Sequence, residues 1–159
     1  MGHELGFGKH GNRSLEWLFF NDPGYVWWMV RTGATKQLSG KAAERFDDLV
    51  RRARHLRISG PCRQCRESPV SRMFLTQHIS GGLARIDFHC DKCVYEGGSP
   101  STPMKPAFYT PDIYRGYDKT GGKFLVDAIK RAYYGPKKPR MTQKKMEEFF
   151  DSEDHFVDF

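Results

Sequence analysis

The sequence lacks the features of a membrane or secreted protein. No apolar run approaches the length of a membrane span, and the first residues, Met-Gly-His-Glu-Leu, carry no apolar segment of the signal-peptide type. We therefore expect a soluble, intracellular protein. The chain also has no internal repeat. Hydrophobic residues are not scarce, at 38%, and 14% of residues are aromatic, so the 159 residues support one compact domain, or two small domains and a tail.

Acidic residues are scarce outside the C-terminal end of the chain. Residues 141–159 hold two lysines and six acidic residues, a net charge of −4. Because the whole chain carries +7, residues 1–140 carry +11. A body this basic indicates a polyanionic partner, and nucleic acid is the commonest one inside cells. A solvated, merely soluble surface is the alternative explanation.

Cysteine is rare, and its spacing is regular. The four cysteines form two identical pairs, Cys62-Arg-Gln-Cys65 and Cys90-Asp-Lys-Cys93. Two residues between thiols let one tight turn present both sulfurs to one ion, and two such turns complete a tetrahedral shell for Zn²⁺. We therefore predict one structural zinc on these four cysteines, with no open position for a catalytic water. His89 adjoins the second pair and is expected to be a strand residue rather than a ligand.

The 24 residues between the two pairs have the pattern of a β-hairpin. Residues 72–79 and 83–89 each alternate apolar and polar side chains, and Ser80-Gly-Gly supplies the turn. The apolar positions are Met73, Leu75, Ile79, Ala84, Ile86 and Phe88. This arrangement resembles a zinc ribbon, with the metal joining both ends of the hairpin. Disulfides fit the cysteine count but not an intracellular setting, and a thioredoxin-type pair needs a single motif at a helix start.

The first thirty residues contain a second recognisable pattern. Phe7-Gly-Lys9 is followed by Gly11, by Arg13 and, from Asp22, by Asp-Pro-Gly-Tyr-Val-Trp-Trp. The pattern resembles the small module at the C-terminus of exodeoxyribonuclease X type DNases. That resemblance implies an accessory nucleic-acid-binding role for Lys9 and Arg13. The exonuclease domain of that family is absent from this sequence.

The same residues predict local structure on their own. Gly8 and Gly11 permit a tight hairpin, and Asp22 is a suitable N-cap for a helix that begins at Pro23. Tyr25 and Trp28 lie three residues apart on that helix and are expected to pack inward.

Residues 40–57 have the pattern of an amphipathic helix. Its apolar face comprises Phe46, Leu49, Val50, Ala53 and Leu56. Its outer side carries Arg45, Arg51, Arg52, Arg54 and Arg57. On so basic a body this stripe is either a phosphate track or a solvated helix face. The predicted nucleic-acid contacts, extended to the cysteine turns, are Lys9, Arg13, Arg51, Arg52, Arg54, Arg63 and Lys92.

Residues 99–118 are rich in proline and aromatic side chains, and they predict a loop that wraps the body. The tyrosines of this loop either pack there or stack on unpaired bases. Residues 124–134 then predict a helix. Its inward side chains are expected to be Phe124, Leu125, Ala128, Ile129 and Tyr133.

The C-terminal segment carries Gln143, Met146, Phe149 and Phe150, that is, a glutamine, an aliphatic residue three positions on and an aromatic pair three beyond. Residues three and four apart share one face of a helix, so the apolar side chains can form a single plug. This pattern resembles the PCNA-interacting peptide, by which many replication and repair proteins hold the sliding clamp. The resemblance implies that these four residues bind a PCNA-type clamp.

Two features of the flanking sequence predict that this motif lies on a free arm. Residues 135–140 form a basic linker broken by prolines, and residues 151–159 are mostly acidic. The alternative is an ordinary amphipathic helix packed on its own domain. Clamp recruitment would place the protein at replicating or repaired DNA, in the nucleus of a eukaryote or the cytoplasm of an archaeon.

These patterns together predict an α+β fold, with a small zinc-ribbon hairpin packed against several short helices and a flexible C-terminal arm. The predicted units are residues 1–57 (the exonuclease X-like module and the basic helix), 58–98 (the ribbon), 99–134 (the loop and helix) and 135–159 (the arm).

The leading functional hypothesis is a non-catalytic DNA-binding zinc protein recruited to the sliding clamp in replication or repair. A small clamp-recruited nuclease and a clamp inhibitor are the alternatives. A His-Asn-His nuclease is disfavoured, because the stretch between the cysteine pairs holds only His78 and His89 and no asparagine. A carboxylate site would need the tertiary fold to unite Asp87, Asp112, Asp118 and Asp127.

Overall fold

The computed structural model describes residues 2–77, 80, 83–96, 104–108, 119–137 and 139–157. Its helices are α1 (Leu15–Asn21), α2 (Pro23–Thr32), α3 (Gly40–Ala53), α4 (Asp91–Glu96), α5 (Lys119–Tyr134) and α6 (Gln143–Asp151), and its strands are β1 (Arg72–Gln77) and β2 (Leu83–His89). Short 3₁₀ turns lie at Gly8–His10, Ala34–Gln37 and Glu153–His155. The fold is α+β, as predicted. No helix in the described part of the chain is long and apolar enough to cross a membrane.

The N-terminal residues form the predicted tight turn. The Leu5 N–H donates to the Arg13 carbonyl at 2.9 Å, which closes a loop over the 3₁₀ turn. Gly8 has a φ of +66°, and a Cβ atom there would lie 2.4 Å from the Tyr25 hydroxyl, so only glycine fits. Asp22 accepts a hydrogen bond from the Tyr25 N–H and caps α2 as predicted.

The two strands form the predicted antiparallel hairpin. Met73 pairs with Phe88, and Leu75 pairs with Ile86, so the alternating apolar side chains share one face. Met73 also exchanges two backbone hydrogen bonds with Met104, at 2.7 and 3.0 Å, which adds a short bridge to the outer edge of β1. Ile79, Gly81 and Gly82 lie outside the described residues.

One hydrophobic core joins both ends of the described chain, from Leu5 to Phe156. In α3, the predicted apolar residues Phe46, Leu49 and Ala53 are buried. The helix ends at Ala53 rather than at residue 57, because the following backbone leaves it to pair elsewhere. The Leu56 N–H donates to the Pro106 carbonyl at 3.1 Å.

Helix α5 follows the predicted pattern with one exception. Leu125, Ala128 and Ile129 are buried, and the Tyr133 hydroxyl donates to the Arg57 carbonyl at 2.6 Å. The inward position predicted for Phe124 is wrong, because its side chain is 37% exposed. The helix begins at residue 119, five residues earlier than predicted.

Only residues 104–108 of the predicted proline and aromatic loop are described. Phe108 is fully buried, and its N–H donates to the Ala53 carbonyl at 2.5 Å. This part of the loop therefore packs on the body, as predicted. The other prolines and tyrosines of this loop lie outside the described part, apart from Pro106: Pro100, Pro103, Tyr109, Pro111, Tyr114 and Tyr117.

The prediction of a free C-terminal arm is wrong. Residues 143–151 do form a helix, capped by Thr142, but Met146, Phe149 and Phe150 are only 2%, 1% and 0% exposed. Their apolar face packs against α1 at the other end of the chain. The Phe150 ring lies 5.2 Å from Phe19, centroid to centroid.

The residues after α6 hold the end of the described chain in place. The Phe156 ring stacks on Phe150 at 5.9 Å, and its backbone forms a β-bridge with Leu56. The Arg57 N–H donates to the His155 carbonyl at 2.8 Å. The C-terminal segment is packed because residues distant in sequence supply a buried aromatic surface for it. The packed amphipathic helix, the alternative considered for this segment, is correct.

Candidate metal centre and basic grooves

The four predicted cysteine ligands lie together. One Sγ atom from each of Cys62, Cys65, Cys90 and Cys93 lies within 4.8 Å of the other three, so the group could hold a metal ion. A tetrahedral tetrathiolate site with bonds of about 2.3 Å has sulfur–sulfur edges of about 3.8 Å. The Sγ atoms of Cys65 and Cys90 are 3.8 Å apart. The residues therefore fit a tetrahedral metal ion.

Two backbone turns position the thiols. In the first turn, the Cys62 N–H donates to the Ser68 carbonyl at 2.7 Å, and the Arg66 N–H donates to the Cys62 carbonyl at 2.9 Å. Arg66 has a φ of +59°, a left-handed conformation that non-glycine residues rarely adopt outside such tight turns. In the second turn, Cys90 directly follows β2 and Cys93 lies in the first turn of α4. A metal ion held by these four thiols would join both ends of the hairpin.

The electrostatics of this cluster favour a cation. Burial raises the pKa of the Cys62 thiol, yet backbone N–H groups, those of Cys65 and Cys90 first, hold that pKa at about 5. Burial and the neighbouring thiols raise the pKa of Cys93 to about 12. A positive charge at the centre of the cluster would relieve this opposition between neighbouring thiolates. A divalent ion supplies that charge and ionises all four thiols.

His89 lies in β2, as expected, and next to the cluster. Its Nδ1 atom is 3.7 Å from the Cys62 Sγ atom. An imidazole N–H at this distance donates a weak hydrogen bond to a thiolate, which orients the sulfur without replacing it as a ligand.

Two adjoining grooves flank the hairpin. The hairpin groove, about 580 Å³, lies between the hairpin and α5. The tail groove, about 540 Å³, lies between β1 and the chain that follows α6. Ile58 and Val70 line both grooves, so the two are continuous.

The charged side chains that line these grooves are all basic. The hairpin groove has Arg63, Arg85 and Arg131, and the tail groove has Arg57, Arg72 and Lys105. Among the described residues, no aspartate or glutamate lines either groove. This concentration of positive charge is the strongest electrostatic feature near the cysteine cluster.

Asp87 forms ion pairs with two of the groove arginines. Its carboxylate is 4% exposed and forms ion pairs with Arg63, at 3.4 Å, and with Arg85. The Arg63 and Arg85 side chains remain 77% and 68% exposed. One buried carboxylate therefore positions two guanidinium groups whose remaining donors face solvent.

The predicted nucleic-acid residues do not form one track. Arg51 and Arg52 both pair with Asp48, and Arg52 also donates to the Phe150 carbonyl at 3.3 Å. Arg52 therefore joins α3 to α6, and Arg51 forms an ion pair within α3. Of the remaining predicted contacts, only Arg63 lines a groove. The others are dispersed over the N-terminal turn, the end of α3 and α4: Lys9, Arg13, Arg54 and Lys92.

Sequence reasoning missed most of the groove residues. Arg72 and Arg85 occupy positions that alternate with the buried Met73 and Ile86, so strand periodicity could have placed them on the outer side of the hairpin. No local signal could have joined Arg131 to them, because that contact depends on how α5 packs against β2.

The structure also places the residues of the two alternative functions. Gln143 is exposed and donates to Glu147 at 2.9 Å, whereas its three apolar partners in the predicted clamp motif are in the core. A clamp could reach them only if α6 left the fold. Asp112 and Asp118 lie outside the described residues, and within the described part the cysteine cluster is the only group of three or more potential ligands close enough to share a metal.

Comparison with protein-family models, curated proteins and solved structures finds no match to this chain. The resemblance of the first thirty residues to the exonuclease X module therefore stays a prediction.

Proposed function

We propose that this chain is a non-catalytic, nucleic-acid-binding zinc protein. One Zn²⁺ on Cys62, Cys65, Cys90 and Cys93 fixes the hairpin, and the two grooves beside it hold phosphate groups. The observation that carries the proposal is the lining of these grooves, which contains six arginine or lysine side chains and, among the described residues, no acidic one.

The choice of zinc rests on the donor set. Four thiolates are soft ligands, and a tetrahedral all-sulfur site is typical of zinc and of iron–sulfur centres. The two short turns and a single hairpin between them favour the ribbon type of zinc site over a cluster. Since four protein ligands close the shell, the metal has a structural role and leaves no position for a reacting water.

The choice of nucleic acid rests on charge and shape. Arginine forks bind phosphate in a bidentate manner, and five of the six groove cations are arginines. The six cations are divided between two adjoining grooves rather than gathered in one pocket, which suits a polymer of phosphates better than a single small anion. Contacts of this kind position a nucleic acid without reading its sequence.

A charge-reversal experiment tests this proposal. Lys105→Glu combined with Arg131→Glu places one acid in each groove, and both parent side chains are exposed. Lys41→Glu combined with Lys144→Glu changes the net charge by the same amount at exposed positions outside the grooves. Binding is measured by fluorescence anisotropy with a labelled duplex at about 50 mM salt, where phosphate contacts are strong.

We expect the groove variant to lose roughly tenfold or more in affinity, and the control variant to lose much less, because screened charges outside the site contribute little. If all six cations neutralise phosphates, the logarithm of affinity falls against that of salt concentration with a slope of roughly −5. Equal losses in the two variants would show a non-specific charge effect and would overturn the proposal. Cleavage of the duplex that depends on Mg²⁺ would replace it with the nuclease alternative.

A further inference from the structure

Four aromatic rings form a row on the N-terminal helices, which we call the aromatic row: Trp17, His10, Tyr25 and Trp28. Neighbouring ring centroids along it are 5.1, 5.1 and 4.9 Å apart. The prediction that Tyr25 and Trp28 pack inward is wrong for the tryptophan, which is 37% exposed, and the tyrosine is only half-buried. Trp28 is the most exposed of the four rings, so a partner could contact the row at that end.

Cationic side chains accompany the row. The Arg13 guanidinium lies 5.1 Å from the centre of the Trp17 ring, and the Lys9 ammonium lies 5.1 Å from that of Tyr25. Asp22 holds the middle of the row, because the same carboxylate oxygen pairs with Lys9 at 2.7 Å and with His10 at 2.9 Å. The rings and charges are thus fixed before any partner arrives.

A basic recess adjoins the row. It has a volume of about 450 Å³, and its lining includes Lys9, Lys123 and Lys130 together with Asp22 and Asp127. These five groups carry a net charge of +1. Lys9 contacts the Tyr25 ring and also lines the recess, so the recess lies next to the aromatic row.

We propose that the aromatic row and the basic recess form a binding site for single-stranded nucleic acid. An unpaired base stacks on the exposed Trp28 ring at the end of the row, and the phosphates of the same strand contact the recess. A duplex keeps its base faces inside the helix, so it can use the recess but not the rings. An acidic peptide supplies the charge but has no flat rings to stack. This inference rests on the proposed nucleic-acid function and adds a preference for unpaired strands.

Helix α2 offers a matched pair of substitutions for the test. Trp28 and Val30 are both 37% exposed. Trp28→Ala removes a stacking ring, Val30→Ala removes an equally exposed side chain, and Trp28→Phe keeps an aromatic face. Each variant is titrated with labelled oligo-dT and oligo-U of about 15 nucleotides, a length within the range of single-strand sites, and with a duplex of the same length.

We expect Trp28→Ala to lose roughly tenfold in affinity for the single strands and nothing for the duplex, since one stacked base contributes about that factor. Val30→Ala should bind like the wild type, and Trp28→Phe should recover most of the loss. Binding of both oligo-dT and oligo-U supports recognition of DNA and RNA single strands alike, and binding of one of them restricts the site to that type of strand.

Two outcomes would overturn the inference. One is an unchanged single-strand affinity in Trp28→Ala, and the other is displacement of oligo-dT by poly-glutamate at equal charge, which shows that charge alone is bound. Either result leaves duplex binding in the grooves intact, so the proposed function survives. A wild-type protein that binds neither single strand nor duplex defeats both proposals. Thermal unfolding of each variant, followed by circular dichroism, confirms that the compared proteins are folded.

Discussion

Phe150→Ala is the substitution that best tests how the C-terminal helix is placed. The Phe150 side chain is 0% exposed, and its ring centroid lies 5.2 Å from Phe19, 5.3 Å from Phe149 and 5.7 Å from Phe108. Truncation removes these contacts and leaves a cavity between α1 and α6. Substitutions of this kind in a packed core cost about 3–5 kcal/mol.

That cost is large relative to the stability of most domains, which is about 5–15 kcal/mol. For a chain of this size, we expect a fall of roughly 6–20 °C in the thermal midpoint, because each kcal/mol is worth about 2–4 °C. The assay is thermal and urea unfolding followed by circular dichroism. Phe124→Ala is the control, since the same side chain at residue 124 is 37% exposed and should cost much less.

Equal midpoints for Phe150→Ala and the wild type would refute the packed helix and restore the free arm.

The result also decides how clamp binding can be studied. If Phe150→Ala unfolds the protein, a double alanine variant at residues 149 and 150 loses any activity for a structural reason. The informative measurement is then a pull-down of the folded wild-type protein with a PCNA-type clamp, for which we expect no retention.

Three further changes have defined outcomes. Cys65→Ser, or a strong chelator, should release one zinc per chain, measured by elemental analysis, and lower the thermal midpoint, measured by circular dichroism. A metal-free wild-type protein of equal stability would contradict the structural role of the metal. Burial raises the pKa of the Asp22 carboxyl, but the hydrogen bonds and charges of Lys9 and His10 outweigh it, so the net shift is downward. Asp22→Asn keeps the helix cap and removes these ion pairs. The stabilisation from the ion pairs is present above the ordinary carboxyl pKa and lost as the pH falls through the lowered one, so the difference in midpoint between variant and wild type should shrink as the pH is taken from 7 to below the ordinary carboxyl pKa. Burial raises the pKa of Tyr133, so the stability that this side chain contributes is complete below the ordinary tyrosine pKa and is lost as the pH rises through the raised pKa. Tyr133→Phe should therefore flatten the fall of the urea midpoint at alkaline pH. An unchanged fall would show that Tyr133 does not cause it.

Local patterns predicted the parts of the fold that are formed by neighbouring residues. The hairpin followed from strict alternation, and the cysteine cluster followed from two identical short spacings. The cap at Asp22 and the buried face of α3 also need only a few residues of context. In each case the interacting groups lie within one element or one turn, so sequence distance and spatial distance agree.

The environment of each element was harder to predict than the element itself. An amphipathic helix such as α6 fits a partner protein and its own core equally well, and the deciding surface, Phe19 and Phe20, lies at the far end of the sequence. Trp28 showed the opposite error, since a residue assigned to the interior lies at the surface. The grooves depend on α5 packing beside the hairpin, which no periodicity encodes.

The junction of α1 with α6 has a consequence for biosynthesis. Phe20, near the start of the chain, meets Phe149 with ring centroids 5.3 Å apart. During translation, the apolar side of α1 lacks its contacts with α6 until more than a hundred further residues have been made. Nascent chains that stall before that point leave this part of α1 exposed to solvent, and exposed apolar surface of this kind promotes aggregation.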